Sequence, residues 1–147
     1  MEDRIEKAYL LAKQYHAGQT DKAGADYIEH PLAVARLCET EDEKITALLH
    51  DTLEDTDLSP EVILEQFGPV ILEAVRAMTR AEGESYMDFI RRAARNPIAA
   101  RVKMADLTHN SRLERLITVT QKDLDRVEKY KKAMAYLREN AAPYPGE

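Results

Sequence analysis

Apolar residues recur at helical spacing along almost the whole chain, and no stretch alternates polar and apolar positions as a half-buried strand would. Ile5, Ala8, Ala12 and Tyr15 fall on one stripe of a first helix. Residues 16–29 are polar and punctuated by Gly18 and Gly24, which predicts a loop long enough to carry function. Pro31 suits the first position of a second helix, which places His30 at its N-cap and Leu32, Ala35 and Leu37 on its apolar side. Ile45, Leu48, Leu49 and Leu53 mark a third, heavily buried helix ending near Asp55. Ser59-Pro60 opens a short fourth helix. Gly68-Pro69 stops it and opens a fifth through Val70, Ile71, Ala74, Val75 and Met78. Ser85 begins the next, through Phe89 and Ile90, and Asn96-Pro97 opens a long one through Ile98, Val102 and Ala105. Leu124, Val127, Tyr130, Met134 and Leu137 form the last apolar stripe. The expected fold class is all-α, a single-domain helical bundle over residues 1–140 with a tail at 141–147. Residues 143–147 are expected to fray.

Composition narrows the function classes. A length of 147 residues with 44% hydrophobic and 33% charged positions describes one ordinary globular domain. The net charge of −6 argues against a nucleic-acid polymer or an anionic membrane as partner, since both need a basic face. No apolar run approaches the roughly 20 residues that cross a bilayer. The acidic start Met1-Glu2-Asp3-Arg4 does not resemble a signal peptide. Cys38 is the single cysteine, which excludes an intrachain disulfide and fits a cytoplasmic protein. A small phosphorylated substrate stays compatible with this charge, because a metal ion and a few placed lysines supply a positive field locally. The pattern sets no oligomeric state.

Candidate chemistry gathers in Leu48-Leu49-His50-Asp51-Thr52-Leu53-Glu54-Asp55. Titratable groups following a buried segment are costly unless something pairs them. On a continuous helix His50 shares a face with Glu54 and Asp51 with Asp55. A ligand layer of His50 and Asp51 above a reactive-carboxylate layer of Glu54 and Asp55 is what metal-assisted hydrolysis needs. His30, at the mouth of a helix, and Asp106, with Lys103 and Asn110 one turn either side, complete the expected metal set. Two imidazoles and two carboxylates suit one divalent ion, manganese or iron, better than a closed structural zinc site. The bland alternatives are a buried hydrogen-bonded His50-Asp51 couple and a solvated helix end at Glu54-Asp55. His16 is read as ordering the first loop and His109 as a pocket-rim or surface residue. Arg91, Arg92, Arg95 and Arg101 are read as a charged helix face rather than a polyphosphate clamp.

These residues bring a family into view. The order His30, His50-Asp51, then a distant Asp106 resembles the HD superfamily of metal-dependent phosphohydrolases. His16-Ala17-Gly18-Gln19, Tyr27-Ile28-Glu29-His30-Pro31, residues 48–56 and residues 102–110 are similar to the hydrolase domain of RelA/SpoT-type proteins. The resemblance implies a central metal site and removal of the 3′-pyrophosphate of (p)ppGpp, commonly with manganese. It implies metal ligands His30, His50, Asp51 and Asp106, and a catalytic acid pair Glu54 and Asp55. It also implies substrate contacts from Lys22, Lys103 and Asn110. The step after Gly-Gln reads Gln19-Thr20-Asp21-Lys22, where many relatives carry arginines, so guanine preference is the point of departure. Hydrolysis of another nucleotide or of an NADPH phosphate is the second reading. A nucleotide-sensing module without turnover is the third.

Overall fold

The computed structural model describes residues 2–20, 24–112 and 118–146. Its regular elements are helices: α1 (Glu2–Tyr15), α2 (Glu29–Arg36), α3 (Glu41–Leu49), α4 (Thr52–Asp55), α5 (Pro60–Phe67), α6 (Pro69–Ala77), α7 (Tyr86–Ala94), α8 (Pro97–Asn110) and α9 (Gln121–Asn140). The expected all-α bundle is the observed fold. An isolated antiparallel bridge between Thr20 and Asp26 closes the loop after α1.

Short-range signals account for most starts. Thr40 accepts from the Glu43 N–H at 3.1 Å and three acidic residues fill the first turn of α3, as the helix dipole favours. Ser85 and Asn96 cap α7 and α8 in the same way, each accepting from a backbone N–H three residues on. Gly68 both ends α5 and precedes α6, and its φ of 93° is a conformation that a side chain at this position would strain.

Helix α3 runs through the middle and packs on α1, α2, α6 and α8. Ile45, Leu48 and Leu49 on it are at most 1% exposed, each gaining about 1.5–3 kcal/mol from burial. Helix α8 packs on α2, α3, α6, α7 and α9, so one side of it belongs to the main core. Its other side joins a second apolar cluster with Ile90, Ala133 and Leu137. The functional residues fall where α2, the α3–α4 junction and α8 meet.

Several local expectations are corrected. Helix α2 begins at Glu29 with Ile28 as N-cap, so His30 and Pro31 lie inside its first turn rather than at the cap. Proline is tolerated there because first-turn N–H groups have no intrahelical acceptor. The third helix stops at Leu49 and a separate turn of helix resumes at Thr52. Leu37 and Leu124 are 42% and 45% exposed, off the apolar sides assigned to them. Arg92 is structural, donating to Glu84 and to the carbonyls of Arg76 and Thr79. Arg101 donates to the Pro97 and Ala142 carbonyls.

The expectation of a frayed end does not hold at Tyr144. Its hydroxyl donates to the buried Glu43 carboxylate and its ring lies 4.4 Å from the Arg101 guanidinium carbon. Ala142 N–H also bonds the Ala94 carbonyl at 2.8 Å. Tyr144→Ala should therefore lower unfolding free energy by about 1–3 kcal/mol, the cost of a buried acceptor losing its donor. Urea denaturation measures this, and a wild-type midpoint in the variant would mean the tail contributes nothing.

Candidate metal centre

Asp106 sits on α8 between residues that are wholly apolar and buried, Val102 and Leu107. A carboxylate there needs partners, and it has them. Oδ1 accepts from the Asn110 amide at 3.0 Å and lies 2.9 Å from His30 Nε2. Oδ2 accepts from the Lys103 ammonium at 2.9 Å. Burial alone would raise the Asp106 pKa, but the charges of Lys103 and His50 hold it well below the usual carboxylate range. Burial likewise opposes the Lys103 charge, and Asp106 overcomes this and raises its pKa.

The break between α3 and α4 is made by side chains. His50 Nδ1–H donates to the Ala47 carbonyl at 2.6 Å, and the Thr52 hydroxyl donates to the Leu49 carbonyl at 2.7 Å. Both occupy carbonyls that the next turn of α3 would have used. With Nδ1 committed as a donor, His50 Nε2 is left to face inward. That atom is buried and makes no aligned hydrogen bond, although Asp51 Oδ2 lies 3.2 Å away and Asp106 Oδ1 3.5 Å. A ring nitrogen beside two carboxylates attracts a cation, either a proton or a metal. Burial opposes protonation of His50, yet Asp51 and Asp106 raise its pKa well above 6.5. Asp51 is lowered to about 2: burial acts against this, and the His50 charge prevails.

The residues thus fit a divalent ion on their own geometry. His30, His50 and Asp106 each offer a ligand atom within 4.8 Å of the others. Asp51 adjoins this group through His50, and its Oδ2 also accepts from the Tyr27 hydroxyl. Burial, then the Asp51 charge, pushes the Tyr27 hydroxyl above its usual range, so it stays a donor.

A second group lies beside the first. Asp51, Glu54 and Asp55 bring carboxylate oxygens within 4.8 Å of one another. The expected pairing of Glu54 with His50 is replaced by this grouping, because the helix is broken between them. Burial, then the charges of Asp55 and Asp51, raises the Glu54 pKa. Burial and Asp51 do the same for Asp55. Gln19 ties this layer to the first loop: its amide donates to the Asp55 carbonyl at 3.1 Å and its oxygen faces His16 Nδ1 at 2.9 Å. His16 orders that loop, as expected.

Lys103 and Asn110 lie at the site, both bonded to Asp106, and Lys22 falls outside the described residues. His109 is the residue that sequence reading misplaced. It is 6% exposed, not at a rim or surface, and its Nδ1 lies 2.7 Å from His30 Nδ1. Such a partner on the far nitrogen fixes a ligand imidazole's orientation. The available signal was its position one turn after Asp106 on α8.

A family model described as HD domain matches residues 8–135, and the chain belongs to that family. Among curated proteins it is 37% identical over 126 residues to a probable GTP pyrophosphokinase of Mycobacterium leprae, covering 77% of this chain and 16% of that one. It is 38% identical over 120 residues to the guanosine-3′,5′-bis(diphosphate) 3′-pyrophosphohydrolase of Aquifex aeolicus, covering 74% and 17%. The bifunctional (p)ppGpp synthase/hydrolase SpoT of Escherichia coli is 32% identical over 126 residues, covering 74% and 18%. The chain therefore spans less than a fifth of these relatives. The solved structure of a metazoan ortholog of SpoT that hydrolyses ppGpp superposes with a TM-score of 0.76 at 26% identity, covering 95% of this chain and 88% of that one.

The two pKa directions give a pH test. The His50 pKa is raised on folding, so its contribution in the metal-free chain is complete below about pH 6.5 and is lost as pH rises through the folded value. Asp106 is depressed, so its contribution is present above about pH 4 and is lost as pH falls. A metal ion held by His50 would need the unprotonated ring, and its uptake would displace the His50 proton. The gain in melting temperature on adding manganese should therefore grow from pH 6 to pH 9, and His50→Ala should abolish it. A pH-independent gain, by calorimetry with and without chelator, would remove His50 from the cation site.

Proposed function

We propose that this chain is a metal-dependent phosphohydrolase that removes the 3′-pyrophosphate of guanosine-3′,5′-bis(diphosphate). One observation carries the reading: a buried His30–His50–Asp106 group stands directly beside an acid layer of Asp51, Glu54 and Asp55. That juxtaposition is what hydrolysis requires and a mere binding module does not. The names of the Aquifex and Escherichia relatives and of the metazoan structure support the substrate.

His30, His50, Asp51 and Asp106 are assigned to one divalent ion, and their mixed imidazole and carboxylate donors favour manganese. When bound, the ion lowers the pKa of water and neutralises a phosphate oxygen. Lys103 and Asn110 keep Asp106 aimed and ionised, and both stand close enough to meet a phosphate or sugar. Tyr27 holds Asp51 by its hydroxyl. Glu54 takes the proton of the attacking water and Asp55 carries it toward the leaving group, roles that suit carboxyls whose pKa values are raised toward neutrality. Lys22 is assigned to the phosphates. Residues 1–140 form the catalytic unit, and the single free Cys38 supports a cytoplasmic setting. No helix among the described residues is long and apolar enough to cross a membrane.

The loop Gln19-Thr20-Asp21-Lys22 places one negative charge beside one positive, so ppGpp should be turned over with a high KM. Thr20→Arg should lower that KM. Glu54→Gln should keep the metal while kcat falls by about 10²–10⁴, the usual loss with a general acid–base group. Chromatography of products and elemental analysis of the variants test both points. Loss of metal in Glu54→Gln would make Glu54 a ligand. Brisk phosphate release from another nucleotide, with no pyrophosphate from ppGpp, would redirect the substrate assignment and keep the phosphohydrolase reading.

A further inference from the structure

Four buried side-chain atoms among the described residues have no hydrogen-bond partner: His16 Nε2, Thr46 Oγ1, His50 Nε2 and the Tyr86 hydroxyl. His50 is explained by the cation site. Tyr86 differs from the others in what surrounds it. The Lys129 ammonium lies 4.3 Å from its ring centre and the Arg80 guanidinium carbon 5.9 Å, and both side chains are solvent-exposed. Its ring meets that of Phe89 edge-on at 6.5 Å, and the Lys103 ammonium sits 5.0 Å from the same Phe89 ring while bonding Asp106. Arg80 also lies near the acid layer, where its backbone amide favours the charged form of Glu54. Tyr86 therefore lies one residue removed from both halves of the site.

A buried hydroxyl without an acceptor destabilises the free protein, and native chains keep few of them. Lys129 and Arg80 stand over its ring and offer no acceptor, and the Tyr130 ring, 6.5 Å away, makes no hydrogen bond to the hydroxyl. An anion held by these cations would supply the acceptor the hydroxyl lacks. We propose that Tyr86, Lys129 and Arg80 form a phosphate subsite beside the metal centre, in which the Tyr86 hydroxyl donates to a phosphoryl oxygen and the two exposed cations close over it. The proposal deepens the phosphohydrolase reading and rests on it for the identity of the ligand, which is a phosphate of the substrate. Burial raises the Tyr86 pKa to about 12, so the hydroxyl keeps its proton as a donor across the physiological range. Lys103, already bonded to Asp106, adds its charge at the inner edge.

Two variants separate a ligand role from a structural one. Tyr86→Phe deletes the hydroxyl and leaves the ring contacts, so an orphaned donor predicts a melting temperature that is unchanged or higher. Lys129→Met alters an exposed residue and leaves the core alone. Pyrophosphate, titrated calorimetrically into the manganese-loaded protein, should bind about tenfold more weakly in either variant, the scale of one lost hydrogen bond to a charged group. Both variants together should lose less than the sum of the two, because they grip one phosphate. Wild-type affinity in Tyr86→Phe would overturn the proposal, as would a lowered melting temperature, which would mean the hydroxyl serves the fold. The pyrophosphate titration involves no turnover. If the wild-type protein hydrolyses no nucleotide, the phosphohydrolase reading fails while the subsite is still decided on its own.

Discussion

Burying the Asp106 carboxylate is the constraint from which the rest of this structure follows. An ionised group in an apolar bundle is tolerated only when opposite charge and hydrogen-bond donors surround it. Here α8 supplies Lys103 and Asn110 from its own turns, α2 supplies His30, and His50 approaches from the end of α3. Each of those elements is held where the carboxylate needs it by packing on the same core. Removing one partner would leave the others aimed at an uncompensated charge. The site and the centre of the bundle are therefore one arrangement, and a cation between the imidazoles and carboxylates completes its charge balance.

The adjacency of His50 and Asp51 depends on a defect in regular structure. On an unbroken helix consecutive residues diverge by about 100° around the axis, and only one points squarely inward. The His50 ring and the Thr52 hydroxyl take the last carbonyls of α3 and end it between the two functional layers. Asp51 then joins Glu54 and Asp55 on one side while its Oδ2 lies 3.2 Å from His50 Nε2 on the other. Burial, then the like charges crowded on that second side, raises two carboxyl pKa values, whereas the imidazole lowers the third against burial. One residue type is thus given two electrostatic roles by position alone.

That division explains what was legible in the sequence and what was not. Proline after a cap residue located the starts of α5, α6 and α8, because those signals act within one turn. His50, Asp51 and the acid pair were visible as titratable residues following an apolar segment, His30 by its place before Pro31, and Asp106 by its place beside an apolar stripe. The break at His50-Asp51 was not, since side chains competing for carbonyls leave no periodic trace. His109 was missed for a related reason: α8 is lined with apolar residues on two sides, so a buried histidine on it looked like a departure toward solvent. Its partner is His30, distant in sequence, and only the packing of α2 on α8 brings them together. Tyr144 closing on Glu43 is the same lesson across a separation of 101 residues.

Electrostatics then frames how an acidic protein takes a phosphate. With a net charge of −6, the chain as a whole repels polyanions. Three of the four arginines that stood out in the sequence are already engaged: Arg92 with Glu84, Arg91 with Asp88, and Arg101 with backbone carbonyls and the Tyr144 ring. Lys103 balances Asp106. Attraction at the site must come from the ion itself and from exposed cations at its edge. Without an ion the centre presents carboxylates whose field opposes a phosphate, and an ion held by those residues would reverse that field locally. In the proposed reaction, substrate affinity and metal occupancy would therefore be linked by charge.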